Sequence, residues 1–327
     1  MIITRSPLRI SLGGGGSDLP SFYEKEAGFV LSAAINKFVY VSVSKPFFNE
    51  ISLKYSETEK VSSCHEIKHP IFREALELMN YDNQGIEIST HAEVPAGTGL
   101  GSSGSFTTAL LKSLHQHARK SISPSELARL ACHIEIERLK EPIGKQDQYI
   151  AALGGFQSMV FNQDGTVETS NLEIANDKIQ ELEENLVFVY TGKSRSASNI
   201  LADQDSRSLE DDKEIFNLLR QTKAMGLEIK KTLEVGDLAT FGQILNEHWE
   251  LKKARSINIS SPDMNNIYEL AISNGAIGGK LIGAGGGGFF MFYTENKRRL
   301  RKVLQGVGLR EMQVSFEFEG CKVIMDQ

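Results

Sequence analysis

Hydrophobic residues recur along this chain with two different periods, which indicates a fold that mixes strands with helices. Apolar positions spaced as on a helix face predict helices over residues 71–79, 106–117 and 211–254. A capping box from Ser123 to Glu126 predicts another helix as far as residue 140, and Ser261 with Pro262 begins one more. Alternating or short continuous apolar runs predict strands over residues 5–12, 38–43, 51–55, 85–92, 156–161, 166–169, 186–190, 279–282 and 289–293. A polar stretch over residues 171–184 separates two groups of elements, so we expect domains over residues 1–180 and 181–327.

The composition limits the location and the partners of the protein. Of 327 residues, 40% are hydrophobic and 24% are charged, and 36 basic against 42 acidic residues give a net charge of −6. This acidic balance argues against a nucleic-acid partner. The N-terminal segment lacks the apolar core of a signal peptide, and no apolar run is long enough to span a membrane. Three distant cysteines support neither disulfides nor a zinc site, which fits a reducing compartment, so we expect a cytoplasmic protein. We expect it to be either a monomer or a homodimer.

Glycines are concentrated in three clusters, over residues 13–16, 97–104 and 283–288. The last two clusters each contain the pattern GxGxxG. A dinucleotide-binding fold would need an acidic residue at the end of a second strand about 20 residues later, and a helix begins near that point instead. Gly192-Lys193-Ser194 is similar to the end of a P-loop, but Val187 stands where that motif requires glycine. The seven histidines contain no HExxH pair.

The second cluster lies between a predicted strand and a predicted helix and reads PAGTGLGSSGS from Pro95 to Ser105. Backbone N–H groups without side chains in the way can surround a phosphate, and the N-terminus of the following helix favours the same anion. The serine hydroxyls are suitable ligands for Mg²⁺, which prefers oxygen. A flexible tight turn is the alternative interpretation, although eleven positions that hold four glycines and four small polar residues make it the weaker one.

Three segments in order resemble the motifs of the GHMP kinases (galactokinase, homoserine kinase, mevalonate kinase and phosphomevalonate kinase). They are RSPLRISLG from Arg5, the glycine loop, and KLIGAGGGGF from Lys280. The resemblance covers nearly the whole chain and departs from the usual pattern only in Gly104-Ser105, where alanines are commoner. It implies a two-domain α+β GHMP kinase fold, whose N-terminal domain has a left-handed βαβ crossover and whose C-terminal domain is ferredoxin-like. It also implies ATP and Mg²⁺ as cofactors, with ATP bound by Pro95, Gly97, Gly99, Leu100, Gly101, Ser102, Ser103, Gly104 and Ser105.

Two catalytic residues follow from the same resemblance. Asp147, in the segment IGKQDQY, matches the aspartate that faces the attacking hydroxyl, either as a base or as a group that orients the hydroxyl. A turn or helix cap is the alternative role of this aspartate. Arg9 matches the basic residue near the transferred phosphoryl group, and a surface charge on an edge strand is its alternative.

The resemblance also implies a metal site. Glu135, twelve residues before Asp147, matches the glutamate that binds Mg²⁺. Its alternative is a place on a solvated helix face, a role for which the nearby Glu137 is a candidate. Ser103 is the expected serine ligand of the metal, with Ser102 as the next choice.

The substrate is expected to be a sugar phosphate. Asp18 lies nine residues after Arg9, as does the sugar-binding aspartate of galactokinases, although it could instead cap a turn before Pro20. Gly15 and Gly16 replace the Glu-His pair of galactokinases, which disfavours galactose. RSPLRISLGGGGSDLP together with IGKQDQY most resembles the D-glycero-D-manno-heptose 7-phosphate kinases, which phosphorylate the C1 hydroxyl to give the 1,7-bisphosphate. The remaining expected substrate residues are Lys193 and Arg195, for the 7-phosphate, and Gly285 and Gly286, in the third motif.

Other interpretations stay open at this point. Lys193 and Arg195 could belong to an exposed basic loop. The enzyme could act on fucose, another hexose or a mevalonate-like acid. A non-catalytic sugar sensor could share the fold, but the joint presence of Ser103, Glu135 and Asp147 argues against it, because binding alone requires neither a metal set nor a base.

Overall fold

The fold combines two β-sheets with helices packed on both of them. The computed structural model describes residues 1–82, 84–193, 213–256 and 258–327. Its strands are β1 (Ile2–Gly13), β2 (Gly28–Ser44), β3 (Ile51–Lys54), β4 (Thr58–Val61), β5 (Ile86–Ala92), β6 (Phe156–Phe161), β7 (Val167–Asn171), β8 (Leu186–Tyr190), β9 (Gly278–Leu281), β10 (Phe289–Tyr293), β11 (Arg310–Met312) and β12 (Lys322–Asp326). Its α-helices are α1 (Pro20–Tyr23), α2 (Pro70–Leu78), α3 (Ser102–His117), α4 (Pro124–Cys132), α5 (Gln146–Leu153), α6 (Asn176–Asn185), α7 (Lys213–Glu234), α8 (Leu238–Arg255), α9 (Pro262–Ser273) and α10 (Lys297–Gly306).

The first sheet is built around the long strand β2. The order of its main path is β12-β1-β2-β5-β3-β4, and β6 pairs with β2 and with β7. The first half of β2 pairs with β6 and the second half with β5, while β1 runs antiparallel along most of the same strand. The pairing of β1 with β2 shifts register between Pro7 and Leu8, just before Arg9. Such irregularities bend a strand and redirect its side chains.

Helices α2 to α5 pack against the first sheet and form its core with β2, β3 and β5. Two pairs of hydroxyl side chains on β1 and α3 are buried in the same layer. Thr4 Oγ1 lies 2.6 Å from Ser113 Oγ, and Ser6 Oγ lies 2.8 Å from Thr108 Oγ1. Because each buried hydroxyl has a partner, these polar groups do not carry the cost of an unpaired hydrogen-bonding group.

The second sheet has the order β11-β8-β10-β9 and is entirely antiparallel. Aromatic and aliphatic side chains on one of its faces pack against α8 and α9 around the fully buried Trp249. A further apolar cluster contains residues of β1, β2, α7, α8 and the second sheet, so it joins the two halves of the molecule. The apolar contacts between the halves hold both sides of the site described below.

Most predicted elements are confirmed, with boundaries that differ by a few residues. The capping box at Ser123 is formed, and the helix that it begins continues beyond Cys132 through a wide π-type turn, His133–Arg138. The structure adds elements that the sequence pattern did not predict, namely α1, α5, α6, α10, β4, β11, β12 and the first half of β2.

The chain changes from the first sheet to the second between β7 and β8, and its last strand, β12, returns to pair with β1. The division into domains over residues 1–180 and 181–327 stays a prediction. Every helix among the described residues is too short or too polar to cross a lipid bilayer. The cytoplasmic location also stays a prediction.

Candidate active site

A cavity of about 720 Å³ lies where strand β1, the glycine loop over residues 95–105 and the second half of the chain meet. Its lining comes from β1, the loop before α3, the π-type turn, the start of α5, the end of α8 and the segment after β9. The three motifs that are far apart in the sequence therefore contribute to one cavity.

The glycine loop reaches the cavity with its backbone. Gly97, Gly99 and Gly101 have φ angles of 75°, 83° and 76°, in the left-handed region that favours glycine. Gly101 is the N-cap residue of α3, and in the part of the chain that the structure describes no side chain caps the first N–H groups of that helix. A helix N-terminus of this kind is a ready site for an anion such as a phosphate.

Six of the nine residues expected to bind ATP line the cavity: Gly97, Gly99, Gly101, Ser102, Ser103 and Gly104. The other three are not in the lining, and they form the contacts that hold the loop. The carbonyl of Pro95 accepts a hydrogen bond from Thr98 Oγ1 at 2.9 Å, and the carbonyl of buried Leu100 accepts one from the Arg9 N–H at 3.0 Å. Ser105 Oγ donates to the carbonyl of Pro7 at 2.7 Å.

Arg9 and Asp147 form a two-point ion pair in the lining of the cavity. Arg9 Nε and Nη2 donate to Asp147 Oδ1 and Oδ2 at 2.7 and 2.8 Å, and Arg9 Nη1 donates to the Gly99 carbonyl at 2.6 Å. The side chain of Arg9 is only 6% exposed, whereas that of Asp147 is 26% exposed. Arg9 is thus fixed against both the loop and Asp147, and the carboxylate of Asp147 remains accessible from the cavity.

Glu135 lies in the π-type turn and faces the start of α3. Ser103 Oγ donates a hydrogen bond to Glu135 Oε2, and Gln148 Nε2 donates to Glu135 Oε1 at 3.0 Å. Burial raises the pKa of Glu135 to about 7, although these hydrogen bonds act in the opposite direction. Glu137 has a side chain that is 65% exposed and pairs with His133, so the buried position belongs to Glu135.

Asp18 lies in a tight pocket of backbone groups beside the cavity. Its Oδ1 accepts the N–H of Gly16 at 2.9 Å, and its Oδ2 accepts the N–H of Gln146 at 3.3 Å. Burial raises the pKa of Asp18 above its ordinary value. Gly15 and Gly16 also line the cavity, and the carbonyl of Gly15 accepts a hydrogen bond from Arg255 Nη1 at 2.9 Å.

Sequence reasoning assigned no role to four basic residues from the second half of the chain that also line the cavity: His248, Lys252, Arg255 and Lys280. Three of them are spaced at i, i+4 and i+7 on α8, which places them on one helix face. This spacing is the trace that they leave in the sequence, although it does not show whether the face borders a cavity or a core. Gln148, which is buried and donates a hydrogen bond to Glu135, lies in the segment IGKQDQY, but the resemblance gave it no role.

Three of the remaining expected substrate residues, Lys193, Gly285 and Gly286, lie outside the lining. The side chain of Lys193 forms an exposed ion pair with Asp263 at 2.7 Å, and the N–H of Gly286 donates to the carbonyl of Ile259 at 2.9 Å. Gly285 is packed against Ile259, which would lie 3.1 Å from an added Cβ. Arg195 falls outside the described residues. The roles of all four in substrate binding stay predictions.

Comparisons with known proteins agree with this geometry. Sequence profiles of the GHMP kinases N terminal domain and of the GHMP kinases C terminal match residues 65–155 and 229–311. The chain is 30% identical to D-glycero-alpha-D-manno-heptose 7-phosphate kinase of Campylobacter jejuni over 98% of both proteins. It is 25% identical to a galactokinase of Pyrococcus furiosus, over 97% of this chain and 95% of that protein. A crystal structure of a D-glycero-D-manno-heptose 1-phosphate kinase from Bacteroides thetaiotaomicron matches over 100% of both chains, with a TM-score of 0.83 and 26% identity. The chain therefore belongs to the GHMP kinase family and is an ATP-dependent sugar kinase.

Proposed function

We propose that this kinase transfers the γ-phosphoryl group of ATP to the anomeric C1 hydroxyl of D-glycero-D-manno-heptose 7-phosphate, which gives the 1,7-bisphosphate. The observation that carries the proposal is the joint position of the Arg9–Asp147 pair, the glycine loop and Asp18 around one cavity. The relative of Campylobacter jejuni, matched over nearly the whole chain, supports the choice of sugar.

In the proposed reaction the C1 oxygen forms a bond to the γ-phosphorus while the bond from that phosphorus to ADP breaks. Phosphoryl transfer passes through a loose transition state, so positioning and electrostatics carry most of the catalysis. Asp147 accepts a hydrogen bond from the C1 hydroxyl, orients its oxygen towards the phosphorus, and takes up the proton late in the step. Arg9 offsets the charge that develops on the γ-oxygens, and its two contacts to Asp147 fix the direction of the carboxylate.

The residues around Glu135 fit a divalent cation. Glu135 is a carboxyl group buried next to a serine hydroxyl and a helix N-terminus, and burial without a cation already raises its pKa. Among the described residues, no three His, Cys, Asp or Glu side chains form a complete metal cage. Mg²⁺ commonly binds through one or two protein oxygens together with substrate phosphates. Glu135 and Ser103 would hold Mg²⁺, and the ion would neutralise charge on the phosphate oxygens of ATP.

The sugar end of the proposed site is formed by Asp18 and the glycine turn before it. A carboxylate that is fixed by backbone N–H groups can accept hydrogen bonds from sugar hydroxyls in a defined geometry. Glycine at positions 15 and 16 leaves room beside this carboxylate for a sugar larger than a hexose.

An assay of ADP release with ATP and Mg²⁺ tests the proposal. The panel contains D-glycero-D-manno-heptose 7-phosphate, the unphosphorylated heptose, galactose, fucose and mevalonate. We expect kcat/KM to be highest for the heptose 7-phosphate, with a product whose new phosphorus couples to the anomeric proton in NMR spectra. A higher kcat/KM for fucose or galactose, or phosphorylation at another carbon, would contradict the proposal.

A further inference from the structure

The cavity has one wall of basic side chains that the chemistry at Arg9 and Asp147 does not use. His248, Lys252 and Arg255 come from α8, and Lys280 comes from β9. We call these four residues the basic wall. Their exposed fractions are only 2%, 5%, 3% and 2%, although all four border the cavity. Lysine side chains in particular are seldom buried to this degree without a partner of opposite charge.

The hydrogen bonds of the two lysines are made to neutral groups. Lys252 Nζ donates to the carbonyls of Leu281 and Gly283, and Lys280 Nζ donates to the carbonyl of Leu12 at 2.8 Å. Within the described part of the chain, neither lysine has a carboxylate within 4.0 Å. Removing an ammonium group from water costs several kcal/mol unless an opposite charge compensates. Carbonyl dipoles supply only part of that compensation.

Two polar side chains beside the lysines have buried atoms that form no hydrogen bond within the described residues. Both ring nitrogens of His248 and the hydroxyl of Ser11 are buried without a hydrogen-bond partner there. Burial and the neighbouring cations lower the pKa values of His248, Lys252 and Lys280. A dianion at this place would compensate the lysine charges and accept hydrogen bonds from the histidine and the serine.

We propose that the basic wall binds the phosphate that the sugar already carries, remote from the hydroxyl that reacts. This inference rests on the proposed function, since it requires a phosphorylated sugar as the acceptor. The N-terminus of α3, which would hold the nucleotide phosphates, belongs to the first half of the chain, whereas the basic wall belongs to the second half and has Arg9 as a neighbouring cation. The sugar would then lie between the two anion sites, next to Asp18. The phosphate site differs from the one predicted at Lys193 and Arg195, since Lys193 is exposed and paired with Asp263.

The central experiment compares Lys252→Gln with wild type on D-glycero-D-manno-heptose 7-phosphate and on the unphosphorylated heptose. Glutamine keeps a donor for the two carbonyls and removes the charge. We expect kcat/KM for the phosphorylated sugar to fall by about ten- to a hundred-fold, as is usual for a lost hydrogen bond to a charged group. The values for the unphosphorylated sugar and the KM for ATP should change by less than about two-fold.

Lys253→Gln is the matched control, because Lys253 lies on the same helix and pairs with Glu250 away from the cavity lining. It should behave as wild type with both sugars. An equal loss on both sugars in Lys252→Gln, or a raised KM for ATP, would mean that the wall serves the transferred phosphoryl group, and the inference would be overturned. Selective loss in Lys193→Gln with none in Lys252→Gln would overturn it as well.

A measurement on the wild-type enzyme does not depend on the folding of any variant. Inorganic phosphate should inhibit competitively against the heptose 7-phosphate and should not inhibit the reaction of the unphosphorylated heptose. Competition with ATP alone would place phosphate at the nucleotide site and would overturn the inference. If wild type did not phosphorylate the heptose 7-phosphate, but Lys252→Gln lost activity only on another phosphorylated sugar, the proposed substrate would be wrong and the inference about the basic wall would be supported. If wild type phosphorylated only unphosphorylated sugars, both the proposed substrate and the inference would be wrong.

Discussion

Arg9 is held at three points, and each contact has a consequence for the reaction. Its main-chain N–H binds the Leu100 carbonyl, one guanidinium nitrogen binds the Gly99 carbonyl, and the other two bind Asp147. A planar guanidinium can satisfy several acceptors in a fixed geometry, which a lysine ammonium cannot do. Arg9 therefore fixes the glycine loop relative to the Asp147 carboxylate, which meets the substrate hydroxyl in the proposed reaction.

The first prediction concerns the carboxylate of this pair. Asp147→Asn should keep the affinity for ATP and lower kcat by about two orders of magnitude or more, the usual effect of removing a positioned acid–base group. Asp177→Asn, in the first turn of α6, is the control and should leave kcat unchanged. ATP binding is measured by calorimetry and kcat by ADP release. Near-normal kcat in Asp147→Asn would remove Asp147 from the chemistry.

The second prediction separates the two neighbouring glutamates. Glu135→Gln should raise the Mg²⁺ concentration for half-maximal rate by about ten-fold or more, because a hard cation loses a charged oxygen ligand. Glu137→Gln should not change it, since Glu137 is exposed and pairs with His133. Titration of the initial rate with Mg²⁺ at saturating ATP provides the comparison. If the two variants gave the same curve, the assignment of the metal ligand would be wrong.

The third prediction follows from the pKa of Glu135 in the metal-free protein, which is raised from an ordinary 4.5 to about 7. The folded state then holds this proton more tightly than the unfolded chain does. The stability that Glu135 contributes is complete below about pH 4.5 and is lost as the pH rises through about 7. In EDTA, wild type should lose on the order of 3 kcal/mol more than Glu135→Gln between pH 5 and pH 8. Urea unfolding of both proteins at the two pH values measures this, and parallel pH dependences would contradict it.

At the scale of elements, the site depends on the close crossing of two glycine segments. An added Cβ on Gly99 would lie 2.5 Å from the carbonyl oxygen of Ile282, and one on Gly283 would lie 2.5 Å from Cα of Gly99. Only segments without side chains can approach so closely. The glycine loop of the second motif and the loop of the third motif therefore support each other directly, and this contact explains why both are rich in glycine.

The fourth prediction tests this crossing with two glycines of similar backbone conformation. Gly99→Ala adds a backbone clash to its positive φ, whereas Gly275→Ala has the same kind of strain and open space around the new Cβ. Both should lose about 1–2 kcal/mol of stability from the left-handed conformation. Only Gly99→Ala should also raise the KM for ATP, by about ten-fold, because the loop has to move away from Ile282. Similar KM values for the two variants would show that the crossing does not shape the nucleotide site.

The sequence predicted α3 from its helical pattern and strands β8 and β10 from short continuous apolar runs, which are buried on both faces. The first half of β2 is also buried on both faces, but the small residues Ser32, Ala33 and Ala34 interrupt its run of large apolar residues, so it showed no strand pattern. Helices α6 and α10 were missed because they are short and mostly polar. Among the described residues, α6 buries only Leu182, and α10 buries only Leu300 and Leu304.

At the scale of the whole molecule, the site is assembled from both halves of the chain. Resemblance to family motifs in the first half of the chain pointed to Arg9, Ser103, Glu135 and Asp147, and the structure brings all four to the lining of one cavity. The basic wall matches no such motif, since a helical pattern does not show whether a buried face borders a cavity or a core. Lys280 joins the members on α8 from a separate element, β9. Long-range pairing of this sort cannot be read from local periodicity.

The last prediction concerns the return of the chain to its first sheet. Strand β12 covers the edge of β1, with Ile2 opposite Asp326 and Arg5 opposite Lys322. Deleting residues 322–327 would expose that edge and remove the backbone hydrogen bonds of the pairing. We expect a loss on the order of 2 kcal/mol or more in the free energy of unfolding, together with aggregation through the open edge.

The control removes Gln327 alone, which leaves the register of β12 with β1 intact and should change stability little. Urea unfolding and light scattering on both truncated proteins decide the outcome. Because Arg9 lies on β1 beyond the paired segment, kcat of the folded fraction should fall less than the stability does. If the shorter protein unfolded at the same urea concentration as wild type, the last strand would be a surface addition, and residues 1–180 could form an independent first domain.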